Sequence, residues 1–140
     1  FSATNESVWE HLKLVFYPML ILAIVEYFVV KKEANNYIEA KSLGIFLAIA
    51  FIIVFYYTYT GIIGKNFFII DILTFIISII FGEWVSYKLM IRKSESATLS
   101  KILSLAIIFY FLISFILFTY NPPNINLFKD PTQIMNRLYI

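Results

Sequence analysis

The stretch Leu43–Tyr57, "LGIFLAIAFIIVFYY", holds no charged, amide or proline residue across fifteen positions. A strand facing lipid on one side and a lumen on the other alternates apolar and polar residues over about ten positions. This run does not alternate, and an open strand in lipid would leave its backbone groups unpaired, so the segment reads as a helix inside a membrane. Working outward, three further runs of the same kind appear, and the four expected spans are 8–30, 43–63, 67–90 and 99–120. Each exceeds the roughly 20 helical residues that cross a hydrocarbon core of about 30 Å.

Composition agrees. Of 140 residues, 61% are hydrophobic and only 14% charged, against about 25% charged in a typical soluble domain. There are too few charges to cover a soluble globule. The expected fold is all-α, a polytopic transmembrane helix bundle forming a single domain over 1–140, with the lipid bilayer as its first partner. The chain has no Cys, which excludes disulfides, thiolate nucleophiles and cysteine metal sites, and its net charge of +2 gives no argument for nucleic acid.

The loops set an expected orientation. Lys31, Lys32 and Lys41 crowd loop 31–42, and Lys88, Arg92, Lys93 and Lys101 crowd loop 88–101. The opposite side has only Lys13, Lys65, Lys129 and Arg137. The positive-inside rule then puts both basic loops in the cytoplasm and the Phe1 end, the turn "GIIGKN" and the C-terminus outside the cell membrane. The chain begins without Met, so an upstream signal peptide or a fifth span is expected. In the tail 121–140, the double proline of "YNPPNINLFKDP" stops the fourth helix. Asp130-Pro131 reads as the start of a short surface helix.

The polar residues at the outer end form the first candidate site. In "NESVWEHLK", Asn5–Lys13, Ser7 and Glu10 fit a capping box and Trp9 an interfacial anchor. Lys13 stands at i+3 from Glu10, where a salt bridge is the ordinary outcome. Glu6, His11 and Lys13 exceed what capping requires. Glu10, His11 and Asp71 are candidate catalytic groups: Glu10 or His11 as general base, and Asp71 orienting His11 or holding a cation. Asn5, Glu6, Lys13, Tyr120 and Asn121 are candidate ligand-binding residues. His11, Glu6 and Glu10 make a weak metal set, since no paired-His spacing accompanies them. No cofactor is indicated by any motif.

Acids inside spans carry the second candidate site. Glu26, Asp71 and Glu83 are intramembrane acids, each costly enough to demand a partner or a function. Lys65 or Lys13 is the expected partner of Asp71. Glu26 and Glu83 are expected to reach headgroups or to pair with Lys31, Lys32 or Lys88. Thr74, Ser78 and Gly82 follow Asp71 at +3, +7 and +11, a small and polar stripe suited to close helix packing. Pro18 removes a backbone hydrogen bond inside the first span and is expected to bend it near Leu14.

"NESVWEHLK" followed by "FYPMLILAIVEYF", "GIIGKNFFIIDI", "SYKLM" and "YNPPNINLFKDP" resembles an uncharacterised family of small multi-pass membrane proteins of low-GC bacteria, marked by the pattern N-E-S-x-W-E-H-x-K. The resemblance covers most of the chain and implies a topology with one more hydrophobic segment upstream. It implies no activity. Three function classes therefore compete: an outer-face site for a lipid headgroup, small ligand or metal ion, with or without enzymatic chemistry; a cation, proton or small-solute transporter or channel, built as a homo-oligomer; and an accessory subunit beside a partner membrane subunit.

Overall fold

A computed structural model of the chain describes residues 8–30, 32–92, 95–125 and 128. Four helices follow one another: α1 (Val8–Val30), α2 (Tyr37–Ile63), α3 (Phe68–Ile91) and α4 (Thr98–Tyr120). Each is long and apolar enough to cross a membrane. Among the described residues there is no strand. The tail helix expected after Pro131 and the capping residue Ser7 lie outside the described residues, as do Asn5 and Glu6.

The chief difference from the sequence reading is at α2, which begins at Tyr37, six residues before Leu43. Lys41 is therefore a helical residue and not part of a loop, and it is only 3% exposed. A basic residue one turn into a membrane helix resembles a loop residue by composition. The small residues Ala40, Gly44 and Ala48, four apart, are the signal that the helix has already started.

α2 is the hub, packing against each of the other three helices and most extensively against α3. Gly64 ends α2 in the left-handed conformation, φ 83°, and its N–H bonds the Thr60 carbonyl at 2.8 Å. Glycine adopts that conformation without the steric cost a side chain would add. After this tight turn α3 returns along α2 on the stripe Thr74, Ser78, Gly82 and Ser86, which are the buried residues of α3. Against them α2 presents Ala40, Gly44 and Ala48. A Cβ at Gly44 would overlap Ser86 Oγ and lie 2.5 Å from the Gly82 carbonyl oxygen. The backbones thus touch, as small residues permit in membranes where dispersion replaces the hydrophobic effect. Ser86 Oγ, fully buried, donates toward the carbonyls of Ala40 at 3.0 Å and Gly82 at 2.9 Å.

The α1–α4 side is built from large rings instead. Trp9 packs on Phe115 and on Phe128, with ring centroids 4.7 Å away in each case, and Phe16 meets Phe115 at 5.0 Å. Trp9 is only 8% exposed. The expected interfacial anchor is in fact a wedge between helices, held there because Phe115, Phe118 and Phe128 surround it. α1 runs unbroken through Pro18, which faces outward.

Candidate functional site

Near the start of α1 the polar residues divide between two faces. Glu10 and Lys13 turn toward α4, where Lys13 Nζ lies 2.5 Å from Glu10 Oε2 and donates to Thr119 Oγ1 at 2.8 Å. Thr119 Oγ1 in turn donates a hydrogen bond to the Phe115 carbonyl at 2.5 Å. Both charged side chains are almost fully buried. Unpaired charges there would cost several kcal/mol each, and the pair with its threonine offsets that cost. The i+3 salt bridge expected from spacing is present, and Thr119, which sequence reasoning missed, completes it.

His11 turns the other way. Together with Val8, Ile52, Tyr56, Asp71, Thr74 and Phe75 it lines a cavity of about 30 Å³, room for one or two waters. Asp71 accepts a hydrogen bond from the Tyr59 hydroxyl, so neither Lys65 nor Lys13 is the partner found there. Tyr59 comes from α2, twelve residues before Asp71, and the Gly64 turn brings the two together. Among the residues expected at this end, the structure brings His11 and Asp71 to one cavity and places Glu10 and Lys13 on another face. Tyr120, 80% exposed, and Asn121, also exposed, line neither. Among the described residues no three His, Asp or Glu side chains gather around a common point.

The opposite end holds a larger arrangement. Lys41 Nζ lies 2.6 Å from Glu26 Oε2 and is paired with Glu83 Oε2. Glu26 and Glu83 thus pair with a lysine reached across the bundle, and not with Lys32 or Lys88, because α2 begins early enough to carry Lys41 between α1 and α3. Tyr37, one turn before Lys41, donates to the Ala23 carbonyl at 2.6 Å with Glu26 Oε2 3.4 Å away. The acids are a quarter to a third exposed whereas the lysine is closed off. They face a cleft of about 900 Å³ between the ends of α1 and α3, with Lys41 at its base and Lys32, Glu33 and Tyr87 along its walls.

These two polar ends are aligned. Asp71 and Glu83 are offset by about 120° around α3, which argues against a straight line between them on that helix. Their partners Lys41 and Tyr59 are eighteen residues apart on α2, five full turns, and so share one face about 27 Å from end to end. Between them the same face carries Ile45, Ala48 and Ile52, all buried.

Four apolar helices enclosing paired charges define a helical membrane protein with ionic groups built into its interior. The chain belongs to the Family of unknown function (DUF6512), which matches residues 1–137. No curated protein and no solved structure matches it.

Proposed function

We propose that the chain is a small-cation transporter in which Glu26, Lys41 and Glu83 form the binding site. The observation that carries this reading is Lys41, closed off from solvent and clasped by two carboxylates at the base of a cleft of about 900 Å³. Two carboxylates and one ammonium leave one negative charge in excess, so the cleft favours a positive occupant. Its volume is within the range of small-molecule sites, about 300–1,000 Å³. Lys41 acts as a tethered counter-cation. An entering cation competes with the ammonium for Glu26 and Glu83, so that the carboxylates hold either the cation or the Lys41 side chain. At the other end, Asp71, Tyr59 and His11 supply polar groups, and the Ile45–Ala48–Ile52 face keeps the two ends apart.

The cavity shared by His11 and Asp71 favours this reading over headgroup processing at that end, since it accommodates water and little more. The test is flux in proteoliposomes loaded with a sodium- or potassium-sensitive dye, with a gradient of that ion imposed. Wild type moves the cation down its gradient. Glu83→Gln and Lys41→Met, checked for intact folding by size exclusion, lose that movement at least about tenfold, roughly 1.4 kcal/mol in the barrier. Equal movement in wild type and both variants, or none in wild type, refutes the proposal.

A further inference from the structure

A second cavity, of about 330 Å³, lies between the start of α2, the end of α3 and the segment leading into α4. Its polar lining includes Asn36, Glu39, Arg92, Glu95 and Ser96. Asn36 is 8% exposed, and its Nδ2 is fixed by a 2.8 Å bond to the Leu89 carbonyl. That bond leaves Oδ1 buried with no hydrogen-bond partner. Both carboxylate oxygens of Glu39 and the Ser96 hydroxyl are likewise buried and unpartnered. Buried acceptors without donors are costly, each by about 1–3 kcal/mol, so four on one cavity call for an occupant. Arg92 stands on the wall, exposed, and does not bond Glu39.

From this we infer that the Asn36–Glu39–Ser96 cavity binds a divalent cation that keeps part of its water shell. The sign follows from the lining: three of the four unfilled atoms are acceptors only, and a hydroxyl serves equally as one. The hardness follows from the donors, all oxygen. Hydration follows from size and charge. One buried carboxylate with two neutral oxygens is too sparse for a dry cage, and 330 Å³ leaves room for several waters at about 30 Å³ each. Magnesium is the cation that habitually retains waters while bound through one or two carboxylates. The carbonyl end of α3 beside the cavity adds negative potential and the amide ends of α2 and α4 add positive potential, so the buried acceptors, and not the helix ends, set the sign. This site is separate from the Lys41 cleft, and neither reading depends on the other.

The experiment uses the full chain in nanodiscs of zwitterionic lipid, with manganese(II) as probe read by the loss of its free electron-paramagnetic-resonance signal. One saturable site per chain, displaced by magnesium, is expected. Glu39→Gln, which keeps the shape of a side chain that makes no hydrogen bond, weakens manganese binding at least about tenfold. Ser96→Ala weakens it less, and Arg92→Gln leaves it equal or tighter. No saturable binding by wild type overturns the inference. So does equal binding in Glu39→Gln, loss of binding in Arg92→Gln, or occupancy by spermidine with no displacement of it by magnesium.

Discussion

Glu10, Lys13 and Thr119 illustrate what a buried charge requires of its neighbours. Lys13 is a second-turn residue with 3% exposure, and its ammonium links Glu10 to α4 across Thr119. Lys13→Met removes that counter-charge from the buried Glu10 carboxylate and should lower stability by about 3–5 kcal/mol. Glu10→Gln combined with Lys13→Met should recover much of that loss, because it leaves no uncompensated charge buried in the seam. Thermal unfolding in detergent, followed by tryptophan fluorescence, checks both, since Trp9 sits one residue from the pair. Lys41 obeys the same rule with a different outcome. Its two acids retain access to the cleft, so Lys41→Met should remain folded yet lose cation movement in proteoliposomes.

At the level of elements, a glycine inside the α2–α3 seam and one outside it should respond oppositely to a single methyl group. Gly44→Ala forces a Cβ into Ser86 and the Gly82 carbonyl, which overpacking data place at about 1–3 kcal/mol of destabilisation. Gly61→Ala on the same helix meets nothing within 4 Å and should be neutral or stabilising by up to about 1 kcal/mol. The comparison is read from the detergent concentration at which each variant unfolds. The α3 half of this seam was legible: Thr74, Ser78 and Gly82 stand out as small and polar in an apolar run, and all three are buried. The α2 half was hidden because Lys41 was counted with the basic loop, cutting off the first turn of the helix. The α1–α4 seam was hidden for another reason. Phe and Trp serve equally against lipid and against each other, so Trp9 carried no sign of which it faced. Spacing revealed the Glu10–Lys13 pair, but a partner such as Thr119, 106 residues away, leaves no trace in local pattern.

For the molecule as a whole, the absence of cysteine makes sidedness directly measurable. With the basic loops inside, a single cysteine at Lys65, in the turn after Gly64, should react with an impermeant maleimide on intact cells. A cysteine at Glu33 should react only after permeabilisation. The reverse pattern would place the Lys41 cleft on the outer surface and exchange entry for exit in the transport cycle. The helices outlined by hydropathy needed only length and apolar content. The charge cluster needed to know which helices touch, and hydropathy does not carry that information.

The position of Lys41 on the hub helix also has a consequence for biogenesis. α1 leaves the ribosome before α2, bearing Glu26, while the lysine that neutralises it lies fifteen residues downstream. Until α2 enters the bilayer, Glu26 lacks that counter-charge and is costly at membrane depth, so α1 on its own is a hesitant insert. The α2–α3 hairpin has no such dependence, because Lys41 and Glu83 neutralise each other within it and its small-residue seam closes locally. Insertion is thus expected to become committed at the hairpin, with α1 settling afterwards and α4 arriving last.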